Sequence, residues 1–202
     1  MEMIHQATAP HPLQEFKEYV AQIREFGRAD WYKYSIWIGS LVGLFISVVT
    51  FLTFGVSRGV EFPLFVWWVP IGTGIFMLAL AIDDIGHRTR YKQELAKGEG
   101  YVHQMIGVTA VMSVVGLILC FEHRELMTVP SAGFILLSFF YSGVDEAMHW
   151  SRYFRMGVDR IEMWAHFMAI TGHVLMIGTW WHWAQTGYPG FGETLKHLAN
   201  GF

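Results

Sequence analysis

Residues 126–149 read LMTVPSAGFILLSFFYSGVDEAMH, and this stretch decides the fold of the chain. Its first nineteen residues carry no charge. About 20 apolar residues are needed to cross the ~30 Å hydrocarbon core of a bilayer as an α-helix. The stretch then ends in Asp145, Glu146 and His149, which lie within about one helical turn of each other. It therefore predicts a transmembrane helix that brings carboxylates and an imidazole to one side of the membrane.

The composition of the whole chain agrees with a membrane protein. Of its 202 residues, 53% are hydrophobic and 15% are charged, whereas soluble domains carry about 25% charged residues. The net charge of −3, with basic residues in loops beside apolar runs, argues against a nucleic-acid partner. The single cysteine, Cys120, excludes an intrachain disulfide. We therefore expect the lipid bilayer to be the main partner of the chain.

Four further apolar runs match the first in length, so we predict five transmembrane helices. In lipid such segments must be helical, because every backbone N–H and C=O group needs an internal hydrogen-bond partner. The predicted spans cover about 31–55, 62–83, 101–121, 126–149 and 161–183. The chain then divides into an arm (1–30), a transmembrane domain (31–184) and a tail (185–202) with a short helix at 193–198. The predicted fold class is an all-α integral membrane bundle.

The arm contains a predicted amphipathic helix over residues 13–29. Leu13, Phe16, Val20 and Ile23 fall on one helical face, and charged residues fill the other. This pattern is typical of a helix that lies in the membrane interface. A solvated helix packed against a partner explains the pattern equally well, so the sequence leaves both interpretations open.

Basic residues are distributed unevenly about the predicted spans. Eleven of the fourteen lysines and arginines fall on the same side as the N-terminus. They are Lys17, Arg24, Arg28, Lys33, Arg88, Arg90, Lys92, Lys97, Arg152, Arg155 and Arg160. Because cytoplasmic loops are enriched in lysine and arginine, we predict a cytoplasmic N-terminus and an external C-terminus, in a bacterial inner membrane.

With this topology, the polar ends of four predicted helices converge on the cytoplasmic side. In three of them an acid and a histidine are three or four positions apart, which places them on one helix face. The candidate metal ligands are Asp83, Asp84, His87, His103, Glu146, His149, Glu162, His166 and His173. Acid and histidine at this spacing on neighbouring helices form the ligand pattern of di-iron and di-manganese carboxylate bundles. We therefore predict two iron ions, with another divalent metal as the alternative.

Each polar end also has a purely structural interpretation. Asp83 and Asp84 can pair with nearby arginines, and the helix dipole favours Glu162 in a first turn. His173 is harder to explain, because it lies about 16 Å along a helix from Glu162, near mid-membrane, where buried polar groups are costly and usually functional. It is either a ligand brought close by a bend near Gly172 or a polar group that lines a substrate pocket.

The predicted function is that of a membrane-embedded non-haem di-iron oxidoreductase of the hydroxylase, desaturase or monooxygenase class. Such an enzyme takes a lipid-soluble substrate from the bilayer and electrons from a cytosolic donor that docks on the basic loops. Two alternatives remain open. One is a cytochrome b or quinone-binding electron-transfer subunit, in which histidines hold haem. The other is an accessory subunit of a homo-oligomer or a larger membrane complex, in which the acids and histidines form ion pairs only.

Overall fold

The computed structural model describes residues 11–92, 98–156 and 160–201. The structure is all-α and 87% helical, with no strand in the described ranges, and the predicted fold class is confirmed at this level. The helices are α1 (Pro12–Ala21), α2 (Arg28–Ser57), α3 (Trp68–Arg88), α4 (Glu99–Leu119), α5 (Arg124–Met156), α6 (Arg160–Gln185) and α7 (Phe191–Asn200). The beginning of the predicted arm, Lys97, and the side chains of Arg152 and Arg155 lie outside the described residues.

Within the described ranges, four helical segments are long and apolar enough to cross a membrane: Arg28–Ser57, Leu64–Arg88, Glu99–Leu119 and Arg124–Ser151. They coincide with the first four predicted spans. The fifth predicted span forms α6, whose 26 residues are long enough to cross. The mean hydropathy of α6 is too low for it to be counted with the other four candidate spans, because its sequence contains histidines, tryptophans and an acid in the first turn.

The bundle is built from two closely packed helix pairs, α3 with α6 and α4 with α5, and the pairs touch each other much more sparsely. α3 and α6 run antiparallel along their whole length. At one end the ring of Phe65, just before α3, lies 4.7 Å from that of His182. At the other end Asp83 of α3 lies 3.1 Å from His166 of α6, measured from Oδ1 to Nε2.

Two glycines make the close crossing of α3 and α6 possible. A Cβ atom added at Gly72 would overlap the backbone nitrogen of Met176, and one added at Gly172 would overlap the backbone nitrogen of Phe76. Small residues let helix backbones approach closely inside a membrane, where van der Waals packing drives association. The crossing fixes the height of α6 relative to α3, and thereby brings the N-terminal end of α6 level with the C-terminal end of α3.

Helix α1 packs against the bundle through Tyr19, which is fully buried. The helix predicted over 13–29 is shorter than expected, because α1 ends at Ala21, a 3-10 turn covers Gln22–Glu25 and α2 begins at Arg28. Val20 and, in that turn, Ile23 pack on the same small core. Leu13 and Phe16, from the predicted apolar face, remain 56% and 39% exposed. The predicted face is thus divided, because its C-terminal half covers the bundle and its N-terminal half is open to the surroundings.

The opposite end of the bundle is closed by α7, which contains the helix predicted at 193–198 and packs on α2. Before it, Trp183 donates a hydrogen bond from Nε1 to the carbonyl of Pro189 at 3.1 Å. The buried hydroxyl of Tyr188 donates to the carbonyl of Leu117 at the end of α4. Burial raises the pKa of the Tyr188 hydroxyl, which therefore remains a donor.

Candidate metal centre

Four helix ends meet in one cluster of imidazoles and carboxylates. The ends are the last turns of α3, the first turns of α4 and α6, and the C-terminal part of α5. The cluster comprises Asp83, His87, Glu99, His103, Asp145, Glu146, His149, Glu162 and His166. Six of these nine side chains are buried. So many ionisable groups at so little exposure are costly unless they are paired or bind a cation.

His87 is anchored by its own helix. Its Nδ1 lies 3.1 Å from the backbone oxygen of Asp83, one turn earlier, and 3.2 Å from the carboxylate of the same residue. A carbonyl oxygen can only accept, so Nδ1 carries the proton and Nε2 is the atom left to bind a cation. Nε2 lies 3.5 Å from Oε1 of Glu99 and has no hydrogen-bond partner among the described residues.

His166 on α6 repeats this arrangement. Its Nδ1 lies 3.2 Å from Oε2 of Glu146, which also accepts at Oε1 from Nε1 of Trp150 at 2.8 Å. Its Nε2 faces Oδ1 of Asp83 at 3.1 Å, yet neither atom finds a hydrogen-bond partner among the described residues. A ligand nitrogen and a ligand oxygen therefore point into the same space without satisfying each other.

His149 on α5 is anchored in the same way. Its Nδ1 lies 3.0 Å from Oε1 of Glu162, and its Nε2 lies 3.6 Å from both Oε1 of Glu99 and Oδ1 of Asp145. Three histidines from three helices thus hold Nδ1 against an acceptor and direct Nε2 into the cluster. Metal-binding histidines are held in this way, with the second ring nitrogen hydrogen-bonded to a carboxylate or a backbone carbonyl.

Three sets of residues can each offer ligand atoms that all lie within 4.8 Å of one another. They are His87 with Glu99, His103 and His149; Asp145 with His149 and His166; and Asp83 with His87 and Glu162. Nitrogen and oxygen ligands lie about 2.0–2.2 Å from a transition metal, so only small side-chain movements are needed to close each set. The second and third sets share no residue, so each has ligand atoms of its own.

The structure brings together seven of the nine predicted ligands: Asp83, His87, His103, Glu146, His149, Glu162 and His166. Asp84 belongs to none of the three sets, because its Oδ2 accepts from Nε of Arg88 at 2.8 Å. Two members were missing from the predicted ligand set. Glu99 precedes His103 by four positions, the same signal as elsewhere, and Asp145 stands beside Glu146 in the opening stretch.

His173 lies deeper in the bundle, outside the three sets. Its ring stacks on Phe76, with the centroids 5.1 Å apart, and lies tilted against Phe139, with the centroids 4.6 Å apart. Its Nε2 lies 3.5 Å from Oγ of Ser138. Helix α6 is continuous from Arg160 to Gln185, so the close packing of α3 accounts for the glycine before His173.

A cleft that is open to the outside joins His173 to the cluster. The cluster end is formed by Asp83, Asp145, Glu146 and His166. The walls are mostly apolar and come from all four helices that carry the cluster. This position agrees with the pocket role that the sequence left open for His173.

Comparison with protein-family models, with curated proteins and with solved structures finds no match for this chain. The side chains themselves therefore have to indicate the chemistry. Carboxylates bridge pairs of cations, imidazoles suit iron, copper and zinc, and an apolar cleft beside them can hold an organic molecule.

Proposed function

We propose that this chain is an integral-membrane oxidoreductase with a two-metal carboxylate centre, in which iron is the expected metal and a lipid-soluble molecule the substrate. The observation that carries the proposal is the common orientation of His87, His149 and His166, each with Nδ1 held by an acceptor and Nε2 directed inward. Mixed nitrogen and oxygen ligands suit iron. Structural zinc usually takes thiolates, and Cys120 lies beside Ser131, away from the cluster.

In this proposal, the chain positions the ions and the substrate. When bound, two iron ions supply the activation of dioxygen. The backbone of Asp83 and the carboxylates of Glu146 and Glu162 fix the tautomer and the ring orientation of the three histidines. The cleft brings an apolar molecule to the cluster, and a cytosolic donor docking on the basic loops supplies the electrons.

The arrangement of the histidines gives less support to haem. Two axial histidines must face each other from opposite sides of the macrocycle. The ring centroids of His149 and His166 are 3.8 Å apart, and those of His87 and His149 are 5.4 Å apart. These rings are already in contact with one another. The ring of His173 lies against two phenylalanines, Phe76 and Phe139.

We propose five spanning helices, with the metal centre at the cytoplasmic leaflet of a bacterial inner membrane. Helix α6 supports this because it lies antiparallel beside α3 from the ring contact of Phe65 with His182 to the contact of Asp83 with His166. If α3 crosses the bilayer, α6 crosses with it. The basic residues on the side of the N-terminus then face the cytoplasm.

Reporter fusions at Gly98 and Gly201 are expected to lie on opposite sides of the membrane. Four helices, α4 to α7, lie between these positions. Because the 10 residues of α7 are too few to cross the bilayer, an odd number of crossings separates the two fusions only if α6 spans. Alkaline phosphatase activity marks the outside and fluorescent-protein emission marks the cytoplasm. If both fusions report the same side, α6 does not cross and the proposed topology is wrong.

Elemental analysis of the purified full-length protein is expected to find close to two metal ions per chain, mainly iron. Two ligand sets without a shared residue can each retain one ion. Inductively coupled plasma mass spectrometry after gel filtration gives the number, and a pyridine haemochrome spectrum is expected to show no haem. A folded protein that arrives without metal and takes up neither iron nor manganese would contradict the proposal. The cluster would then be a set of ion pairs, as in an accessory subunit.

A further inference from the structure

We propose that the cleft beside the metal centre binds a lipid-soluble alcohol with an apolar body, which enters sideways from the bilayer past Ile170 and donates a hydrogen bond from its hydroxyl group to His173. The inference deepens the proposed function, on which it rests for the role of the bound molecule as substrate. The position of the cleft, the polarity of its lining and the hydrogen bonds of His173 carry it.

The cleft lies at the seam between the two helix pairs. α3 and α6 pack tightly, as do α4 and α5, but α6 touches α4 and α5 only sparsely. Phe76 from α3, Ile106 from α4, Ser142 from α5 and Ala169 from α6 line the space between the pairs. A seam of this kind can admit a molecule without disturbing the packing within either pair.

The mouth of the cleft faces lipid. Ile170 is the most exposed of its lining residues, at 36%. Its neighbours on the outer surface of α6 are Phe167, 59% exposed, and Val174, 49% exposed. These are apolar side chains on a helix that we propose to span, so the molecules that reach the opening are those dissolved in the hydrocarbon core.

The lining of the cleft is polar at both ends and, apart from the hydroxyl of Ser142, apolar between them. The metal cluster forms one end, and His173 lies at the other. His166 and His173 are seven residues apart on one regular helix, which separates the two ends by about 10 Å. Phe76, Leu80 and Ile106 line the space between. This pattern fits a molecule with one polar group and an apolar body that extends towards the metal centre.

The hydrogen bonds of His173 indicate which polar group it receives. The hydroxyl of Ser138 donates to the carbonyl of Ile135 at 2.9 Å, so its oxygen can only accept from Nε2 of His173, 3.5 Å away. Nε2 of the neutral imidazole therefore carries the proton, and Nδ1 is an acceptor. His173 as a whole is 2% exposed, so a donor that enters the cleft would stabilise this acceptor. An alcohol supplies one, whereas a hydrocarbon, an ester or a ketone does not.

The test uses a photoreactive dodecanol with a diazirine in its chain, bound to the full-length protein in lipid nanodiscs. After irradiation, peptide mass spectrometry locates the adducts. We expect adducts on Phe76, Leu80 and Ile106 that unlabelled dodecanol displaces and dodecane does not. Unlabelled dodecanol is not expected to displace adducts on the lipid-facing Val174, because the probe that reaches this residue from the lipid phase occupies no saturable site.

Two variants separate the entrance from the anchor. Ile170→Trp narrows the mouth and is expected to lower the cleft adducts about fivefold or more, whereas Val174→Trp, one turn along the same exposed face, leaves them unchanged. His173→Phe keeps the ring and removes both nitrogens, and is expected to abolish the about fivefold preference for dodecanol over dodecane that one hydrogen bond provides.

Metal content is measured on each variant, so that the two proposals can fail separately. Displaceable cleft adducts on a protein without metal would support the alcohol site and overturn the oxidoreductase. Adducts confined to lipid-facing residues, or equal effects of Ile170→Trp and Val174→Trp, would overturn the alcohol site while leaving a metal-loaded centre intact. An unchanged alcohol preference in His173→Phe would overturn the assignment of the anchor.

Discussion

Replacing His149 with alanine is expected to remove one of the two proposed metal ions from the purified protein. His149 belongs to two of the three ligand sets, and its Nε2 lies 3.6 Å from both Glu99 and Asp145. Loss of a partner that only orients a ligand already weakens metal binding about 10–100-fold. Loss of the ligand itself should exceed that, so we expect the ion at Asp145, His149 and His166 to be lost. The set of Asp83, His87 and Glu162 does not contain His149, so one of the two proposed ions should remain after gel filtration, with the proposed oxidoreductase activity lost.

Asp84→Asn is the matched control for this experiment. Asp84 is an acid at the same end of the bundle, but it pairs with Arg88 outside the three ligand sets. The variant should keep its metal, and circular dichroism should show both variants to be helical. Wild-type metal content in His149→Ala would mean that the cluster is not the binding site. Equal loss in both variants would mean that metal content follows general stability instead of coordination.

Gly172→Leu is expected to prevent the bundle from assembling. Any side chain at this position meets the backbone of α3 at Phe76 and Gly72. Backbone cannot move aside as a flexible side chain can, so the helices have to separate. We expect the free energy of unfolding to fall by more than about 3 kcal/mol, the upper end for overpacked sites, when unfolding is measured in mixed micelles. The bound metal should be lost as well.

Gly178→Leu is the control on the same helix, because a Cβ atom at Gly178 would meet nothing within 4 Å. The added leucine side chain should point into the lipid, so the stability and the metal content of the variant should stay near those of the wild type. If both leucines are tolerated, the crossing of α3 and α6 is looser than the structure shows. If both leucines abolish assembly, the crossing of α3 and α6 is not the cause, because Gly178 lies outside it.

Charge-free run lengths predicted the first four spans to within a few residues, because the bilayer thickness fixes how long such runs must be. The weaker hydropathy of α6 has a physical cause. Its interior carries His166 and His173, which face the cluster and the cleft. The polar side chains that α6 contributes to the site are therefore the reason that its sequence is the least similar to a membrane span.

Sequence spacing identified the polar helix ends but could not decide between adjacent acids. Successive residues on a helix point about 100° apart. In the structure Asp83 faces the cluster and Asp84 pairs with Arg88, whereas the adjacent acids Asp145 and Glu146 both belong to the cluster. Asp83 lies four residues before His87, and Asp84 lies four residues before Arg88, so both spacings look favourable in the sequence. Glu99 was missed because it precedes the apolar run and looked like part of a loop, although it is 1% exposed in the folded chain.

The seam between the helix pairs makes the two proposed ions unequal. The set of Asp83, His87 and Glu162 comes entirely from α3 and α6, the pair locked together by its glycine crossing. The set of Asp145, His149 and His166 joins α5 to α6 across the loosely packed seam. One ion then occupies a site whose ligands are already held in place by the packing of α3 and α6. The other ion links the two helix pairs to each other. The second ion would be the first to dissociate, and its departure would free the two helix pairs to separate around the cleft.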